Sequence, residues 1–302
     1  MELPPKPDES DCCNSGCNPC ILDVYEEQLR KYKNKTLNTK ESTKKNCMSL
    51  TTYATFELIK RVEHTADTCL LTFQYVDKEN IYCNSCEQLH LIYKPGQHFL
   101  LKGHSYYYKD NQFTRAYTPI PVENNDLLSF TIIVRLYEDG NMSRFIKKLE
   151  LNTLTLWRGP YGDFEISYKF NYILLIAQGT GIAPIFAVIH DILRNEECET
   201  FLKLFFCCRT ERDILLRNEL YEFSSFWNFS YEVFLSNECN VKCKYNEVIH
   251  SNRLDVNAIK TYVEDKLNKN VQILVCGSEI FNQDMLEKVL SCDVDRERIF
   301  LF

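Results

Sequence analysis

Short runs of β-branched and aromatic residues, separated by turn residues, fill the chain from about residue 51 to residue 160. These runs predict strands at 52–59, 69–76, 99–101, 128–137 and 153–157. One amphipathic helix interrupts them, because apolar residues from Met142 to Leu149 fall at positions i, i+3, i+4 and i+7. Several short strands at this spacing predict a barrel or a sandwich.

After about residue 165 the hydrophobic pattern changes to an alternation of strand and helix. The predicted strands are 172–177, 202–208, 231–235, 271–276 and 299–302, and the predicted helices are 184–193, 213–223, 256–267 and 281–290. Such alternation predicts a parallel sheet flanked by helices, with ligands beyond the carboxyl ends of the strands.

The chain before residue 51 is first proline-rich and then cysteine-rich. Ile21, Tyr25, Leu29 and Tyr32 lie at helical spacing and predict one helix. The polar stretch from residue 33 to residue 46 predicts a linker, because it has little apolar surface to bury. We therefore predict three parts: a cysteine-rich segment with its linker at 1–46, a β domain at 47–163 and an α/β domain at 164–302.

Composition narrows the class of protein. The 302 residues include 15 cysteines, an odd number that suits a reducing compartment better than a disulfide framework. A net charge of −7 argues against nucleic acid as the main partner. Neither a long apolar run nor a signal peptide is apparent, so we expect a cytoplasmic, monomeric protein that is able to associate with a membrane surface.

The first chemical motif runs from Arg115 to Pro119 on a predicted strand. Arg115 and Tyr117 should share one face while Thr118 points to the other. A planar cofactor that carries phosphate could use all three side chains. A solvated arginine beside core aromatic residues would give the same pattern.

Two further motifs in the β domain offer glycine turns. Gly140-Asn141-Met142-Ser143 opens the predicted amphipathic helix, and the N–H groups of such a start favour an anion. Asn141 and Ser143 are also ordinary helix caps. Arg158-Gly159-Pro160-Tyr161-Gly162 predicts a tight turn, either near a ligand or simply linking two domains.

In the α/β domain the strand 172–177 leads into Gln178-Gly179-Thr180-Gly181-Ile182-Ala183-Pro184. A strand, a glycine turn and a helix with proline near its start form the usual phosphate cradle of such domains. Cys276-Gly277-Ser278 ends the last long strand, so Cys276 should face a ligand in the crevice. A buried core cysteine is the alternative.

In their order and separations, R-x-Y-T-P, G-x-M-S, R-G-P-x-G, G-T-G-I-x-P and C-G resemble the ferredoxin-reductase-type flavoproteins, specifically the NADH–cytochrome b5 reductase family. The similarity runs from about residue 51 to the end and includes 94–98 and 209–216. It implies an antiparallel FAD-binding β-barrel followed by a Rossmann-like parallel-sheet domain for the nicotinamide nucleotide.

The resemblance also implies roles for individual residues. Arg115 would bind FAD phosphate, Tyr117 would lie along the flavin and ribityl region, and Thr118 would hydrogen-bond near flavin N5. Thr180 would approach the flavin, and Cys276 would stand beside the nicotinamide. Thr118 and Cys276 are thus the expected catalytic residues. The expected cofactor-binding residues are Arg115, Tyr117, Thr118, Pro119, Arg135, Tyr137, Gly140, Asn141, Met142, Ser143, Gly179, Thr180, Gly181, Ile182, Pro184, Gly277, Phe281 and Met285.

The function implied is an NADH-dependent FAD oxidoreductase that passes electrons to a cytochrome b5-like haem protein or a similar one-electron acceptor. The flavin carries the chemistry, so no general-base triad is expected. The alternative is a flavin-binding interaction protein with vestigial reductase activity, in which the amino-terminal cysteines carry the role.

Four positions depart from the family pattern. Arg135 stands where the family usually has lysine, and Ser278 and Glu279 replace the two prolines of C-G-P-P. Ser236 occupies the place of an aspartate that favours NADH, although Glu238 could replace it if the loop curls back. We therefore predict that NADH is preferred over NADPH by a smaller margin than is usual in the family.

Four cysteines, Cys12, Cys13, Cys17 and Cys20, lie within nine residues, in a segment similar to the oxidoreductase-like cysteine module found ahead of some family members. Metal binding, redox chemistry and simple packing all stay open, and we assign no metal site. The pair Cys83 and Cys86 favours an ordinary loop. The histidines form no ligand pattern, and His98 is expected near the flavin face.

Overall fold

A computed structural model of the protein describes residues 3–8, 11–12, 19–33, 45–76, 89–104, 112–122, 128–238, 241–264, 266 and 270–302. The chain divides into two compact units, Met1–Phe164 and Glu165–Phe302.

The first unit is built mainly from β-strands. Its strands are β1 (Lys45–Asn46), β2 (Ala54–Thr65), β3 (Thr68–Tyr75), β4 (Leu89–His90), β5 (His98–His104), β6 (Gln112–Tyr117), β7 (Pro119–Ile120), β8 (Ser129–Arg135) and β9 (Leu154–Tyr161), and its helices are α1 (Ile21–Lys33) and α2 (Asn141–Lys147). Seven strands form one antiparallel sheet in the order β6-β5-β9-β2-β3-β8-β7. β1 and β4 form a separate parallel pair.

Aromatic residues fill the centre of this barrel-like sheet. Phe73, Phe130 and Trp157 are fully buried, and each packs edge-on or stacked against another with ring centroids 4.9–5.5 Å apart. Every residue of β8 except its last is buried. The strands predicted from β-branched and aromatic runs therefore form because those runs share one core.

The second unit is a parallel sheet flanked by helices. Its strands are β10 (Tyr172–Gln178), β11 (Phe201–Cys208), β12 (Phe229–Leu235), β13 (Val248–His250), β14 (Val271–Cys276) and β15 (Ile299–Leu301), and its helices are α3 (Ile182–Arg194), α4 (Arg217–Phe223), α5 (Val256–Glu264) and α6 (Glu279–Leu290). The strand order is β13-β12-β11-β10-β14-β15, with every pairing parallel. Gln178 lies opposite Cys207, and Ala177 lies opposite Cys276. The carboxyl ends of β10, β11 and β14 therefore meet at one edge.

Two predicted helices differ in detail from the structure. The helix predicted from residue 213 begins at Arg217, because Asp213 closes a capping box with Thr210 and Leu216 adopts a left-handed conformation with φ 55°. In α1 the buried side chains are Ile21 and Val24, whereas Tyr32 is exposed. Tyr25 and Leu29 are half-buried, so of the four residues at helical spacing only Tyr32 lies outside the packed face.

Within the parts of the chain described above, no helix combines the length and the apolar character needed to cross a membrane.

Candidate functional site

Arg115 and Thr118 lie at the end of β6, next to β7. Arg115 pairs with Leu101 of β5, and its guanidinium donates to the Thr114 carbonyl at 3.0 Å. Arg115 itself is exposed. Thr118 is the single residue between β6 and β7, because Pro119 already pairs with Ile132 of β8. The motif thus presents a cation and a hydroxyl where one strand passes into the next.

Tyr117 lies between this exposed motif and the barrel core. Its ring is edge-on to Trp157 with centroids 6.1 Å apart. Burial raises the pKa of the Tyr117 phenol well above its ordinary value, so the side chain stays neutral. Tyr117 therefore offers an aromatic surface and a hydroxyl, with no charge.

The turn before α2 uses Ser143 to fix its backbone. The Ser143 hydroxyl oxygen accepts a hydrogen bond from the Tyr137 N–H at 2.9 Å. A Cβ added to Gly140, the N-cap, would lie 3.1 Å from that oxygen. Among the described residues no side chain caps the helix, so the N–H groups of its first turn are of the kind that suits an anion.

Not every expected cofactor residue of the barrel is exposed. Met142 is buried in the barrel core, so its packing role is clear and its contact with FAD stays a prediction. Arg135 is engaged by Asp67, which accepts from its Nε at 2.8 Å and lies 2.6 Å from its Nη2. The sequence did not reveal this carboxylate partner. Tyr137, whose ring lies 5.9 Å below the Arg135 guanidinium, is 60% exposed.

His98 carries a buried polar atom that no described residue satisfies. Among the described residues its Nε2 has no hydrogen-bond partner. Burial lowers the pKa of His98, so the ring is neutral, and it lies 6.0 Å from the Tyr161 ring. An unsatisfied buried nitrogen in a well-packed barrel fits a unit that completes its bonding with a bound ligand. Together with Arg115 and the start of α2, it fits FAD.

In the second unit the glycine turn after β10 passes directly against the end of β14. Gly179 has φ +53°, a left-handed conformation that favours glycine. A Cβ on Gly181 would lie against the Cys276 carbonyl oxygen and 2.7 Å from its carbon. The turn therefore reaches this position only without a side chain, as a backbone phosphate cradle requires.

A polar contact joins the same two strand ends. Gln178 Oε1 accepts from the Ser278 hydroxyl at 3.0 Å, and Ser278 in turn caps α6 by accepting from the Phe281 N–H at 3.3 Å. A Cβ on Gly277 would lie 3.0 Å from the Gln178 Cβ. The sequence did not reveal this pair. The only sign of it in the sequence is that two polar residues, Gln178 and Ser278, stand at the ends of two strands that prove to be neighbours.

Cys276 ends β14 at this edge. Burial raises the pKa of its thiol to about 12, so it remains protonated at neutral pH. It is therefore a neutral, packing side chain and no thiolate nucleophile. Four other expected nucleotide contacts are buried core residues, and their contact with NADH stays a prediction; they are Ile182, Pro184, Phe281 and Met285.

The loop after β12 brings the Glu238 carboxylate back against the residues that follow β11. The N–H groups of Ser236 and Asn237 continue the sheet by donating to the carbonyls of Cys208 and Arg209. Glu238 then curls back, and its Oε2 accepts from the Glu211 N–H at 2.5 Å.

The cysteine motifs are only partly visible. Cys12 and Cys20 are described, with their Sγ atoms 3.9 Å apart. The other four cysteines of these motifs, Cys13, Cys17, Cys83 and Cys86, lie outside the described residues. Within the described part of the chain, no three potential metal ligands cluster.

Family models match both units and the amino-terminal segment. "Oxidoreductase FAD-binding domain" matches residues 56–166, "Oxidoreductase NAD-binding domain" matches residues 175–287, and "Oxidoreductase-like protein, N-terminal" matches residues 1–41. These matches support FAD and NADH as the cofactors and confirm the predicted fold class.

Known proteins and solved structures are similar to this chain over most of its length. It is 33% identical to a human protein named "NADH-cytochrome b5 reductase-like" over 100% of this chain and 95% of the relative, and 30% identical to the mouse protein of that name over 99% and 95%. In fold it resembles the cytochrome b5 reductase domain of Ulva prolifera nitrate reductase, with a TM-score of 0.68, 19% identity and 85% and 100% of the two chains covered. It also resembles the CS-b5R domains of human Ncb5or, with a TM-score of 0.69, 21% identity and 83% and 69% covered. Because both oxidoreductase domains match and two relatives are 30–33% identical over essentially the whole chain, this chain belongs to the NADH–cytochrome b5 reductase family.

Proposed function

We propose that this NADH-dependent FAD oxidoreductase passes its electrons to a cytochrome b5-like haem protein or a similar one-electron acceptor. The observation that carries the nucleotide-binding part of this proposal is the close backbone approach of Gly181 and Gly277 at the ends of β10 and β14. A Cβ on Gly181 would meet the backbone of Cys276 and one on Gly277 would meet the ring of Phe281, so both turns bring bare backbone to this edge, as a cradle formed by backbone N–H groups requires. The names of the full-length relatives support the choice of acceptor.

The first unit supplies the FAD contacts in this proposal. Arg115 and the N–H groups at the start of α2 neutralise the diphosphate, since both offer donors to an anion. The neutral ring of Tyr117 packs along the cofactor, and the Thr118 hydroxyl donates to or accepts from the flavin edge. Bound flavin supplies the chemistry, because it accepts a hydride and can release two electrons one at a time.

The second unit positions NADH. The turn Gly179–Gly181 presents backbone N–H groups to the diphosphate, while the contact between Gln178 and Ser278 fixes the turn that follows Cys276. The protonated Cys276 thiol packs beside the nicotinamide and excludes water there. These residues orient the nucleotide, and none of them needs to transfer a proton.

The test separates reductase activity from the choice of acceptor. Purified full-length protein loaded with FAD is mixed with NADH and either ferricyanide or oxidised cytochrome b5, and absorbance reports each reduction. Reduction of both acceptors is expected. Reduction of ferricyanide alone would reject the b5-like acceptor and keep the reductase.

The alternative function is a flavin-binding interaction protein in which the amino-terminal cysteines carry the role. An interaction protein with a vestigial reductase would retain FAD but reduce neither acceptor. The monomeric state and the cytoplasmic location predicted from the sequence belong to the same proposal. Light scattering of the purified protein and fractionation of cells check them.

A further inference from the structure

The amino-terminal segment packs on the barrel of the first unit. Ile21 of α1 is fully buried, and Val24 forms an apolar cluster with Leu100 of β5 and Tyr161 of β9. Burial of two aliphatic side chains favours this docked arrangement. The segment is thus part of the first unit, although the sequence predicts a polar linker between them.

Two cations of the barrel hold the chain in place, one just before Cys12 and the other just before Cys20. Lys102 Nζ of β5 lies 3.4 Å from the carboxylate of Asp11. Arg158 of β9, which is fully buried, donates to the Pro19 carbonyl at 3.3 Å. Both cations also lie over the ring of Tyr53, at 4.8 and 5.6 Å from its centroid. The barrel therefore fixes the positions of residues 11 and 19.

Cys12 and Cys20 directly follow these two anchors, and their Sγ atoms are 3.9 Å apart. The Cys20 carbonyl accepts from the Val24 N–H at 3.1 Å, so helix α1 fixes its backbone. A disulfide requires about 2.0 Å between the sulfurs, and rotation about χ1 supplies a movement of this size. Both cysteines are half-buried and remain accessible to a small reagent.

We propose that Cys12 and Cys20 are a thiol–disulfide pair that is oxidised reversibly by small disulfides such as glutathione disulfide. One cysteine thiolate attacks a sulfur of glutathione disulfide, whose S–S bond breaks and releases one glutathione thiolate. The second cysteine thiolate then attacks the mixed disulfide. The Cys12–Cys20 bond forms and a second glutathione thiolate leaves. Two electrons pass to glutathione, and the two cysteine protons end on the released glutathione thiols.

Oxidation closes a loop from residue 12 to residue 20 whose ends are already bonded to the barrel. The closed loop restricts the unfolded chain, so the oxidised segment stays docked more firmly. The pair acts independently of the flavin reaction, and its existence does not depend on the identity of the electron acceptor.

The experiment maps the bond in the full-length protein with FAD bound. Protein is equilibrated in a graded series of reduced and oxidised glutathione, alkylated, reduced, alkylated with a second reagent and sequenced by mass spectrometry. Cys12 and Cys20 are expected to carry the second reagent together, and a sample that is not reduced should show the loss of two hydrogen atoms. Cys13→Ser/Cys17→Ser is the matched control and should keep this bond, whereas Cys12→Ser and Cys20→Ser should each abolish it.

The anchors give a second readout. The Asp8 N–H donates to the Asp11 carboxylate at 3.1 Å. Asp11→Asn keeps a side-chain oxygen that can accept this bond, but it removes the charge that pairs with Lys102. The midpoint of oxidation should then move towards more oxidising buffers. An unchanged midpoint would contradict the part assigned to the barrel.

Three outcomes would overturn the pair itself. Cys12 and Cys20 could both stay alkylated in the most oxidising buffer. The bond could map to Cys13 or Cys17 instead. Zinc could copurify in stoichiometric amount and protect all four thiols. The mapping uses the wild-type protein, so it decides the question even where a serine variant fails to fold.

Discussion

The expected flavin contacts of the first unit, Arg115 and Thr118, would act through their side chains, whereas Gly179 and Gly181 of the second unit have no side chains. The first pair offers a cation and a hydroxyl at the end of β6. The second pair lets the backbone pass against the Cys276 carbonyl. Removing side-chain atoms should therefore weaken the first site, whereas adding a side chain should weaken the second.

The two sites also differ in how their residues are supported. Ser143 and Tyr137 fix the flavin-side turn through a contact six residues apart along the chain. Gln178 and Ser278 fix the nucleotide edge across one hundred residues. The nucleotide edge thus depends on correct packing of the whole sheet, and we expect substitutions there to have the larger effects.

The largest effect is expected for Gly181→Ala. Its new Cβ meets backbone atoms of Cys276, which have no side-chain freedom to move away, so the cost should reach about 3 kcal/mol. If this cost applies to the enzyme with NADH bound and not to the free enzyme, kcat/KM for NADH should fall about a hundredfold. Steady-state kinetics measures it, with FAD absorbance to show that the first unit is intact.

Gly277→Ala is the matched control for this substitution. Its Cβ would meet the ring of Phe281, 3.1 Å from Cγ, and a side chain can shift where a backbone cannot. We expect a smaller loss than for Gly181→Ala. Equal losses would show that backbone contact is not the reason.

Arg115→Ala should weaken FAD retention by about ten- to a hundredfold, because a charge-assisted contact to phosphate contributes roughly 1.5–3 kcal/mol. Equilibrium dialysis of FAD against the apoprotein measures the change. Arg30→Ala, which removes an exposed arginine on α1, should leave FAD affinity unchanged. A wild-type protein that stays colourless after FAD is added would contradict the flavin site altogether.

Thr118→Val should slow flavin reduction by about three- to tenfold while changing FAD affinity less, since one hydrogen bond contributes about 0.5–1.5 kcal/mol. The hydroxyl matters most while the flavin edge accepts the hydride. Stopped-flow absorbance gives the rate and dialysis gives the affinity. Equal losses in both would identify Thr118 as a structural residue.

The smallest effects concern the choice of nucleotide. Ser236→Asp should widen the preference for NADH over NADPH, and Glu238→Gln should narrow it, each by about fivefold or less because the carboxylates are solvent-screened. The ratio of kcat/KM for the two nucleotides measures this. A wild-type enzyme that clearly prefers NADPH would show that neither residue occupies the position of the family's aspartate.

The order of strands and helices could be predicted from the sequence because it depends on short-range periodicity. Val271–Cys276 was predicted to the residue, and the β-rich and alternating regions correspond to the two sheets. The beginning of α4 could not be predicted, because it is set by the capping contacts of Thr210 and the left-handed Leu216. Val248–His250 was missed, since three half-exposed residues give no clear pattern.

The sequence by itself determined the order of most strands and helices, and its resemblance to the family predicted which arginine, threonine and glycine residues carry chemistry. Only the tertiary structure decided their partners. Asp67 with Arg135, Glu211 with Glu238, and Gln178 with Ser278 are 68, 27 and 100 residues apart in the chain. Such pairs depend on the register and order of strands, which local residue patterns do not specify, because a contact in space forms only after the strands between its partners have packed.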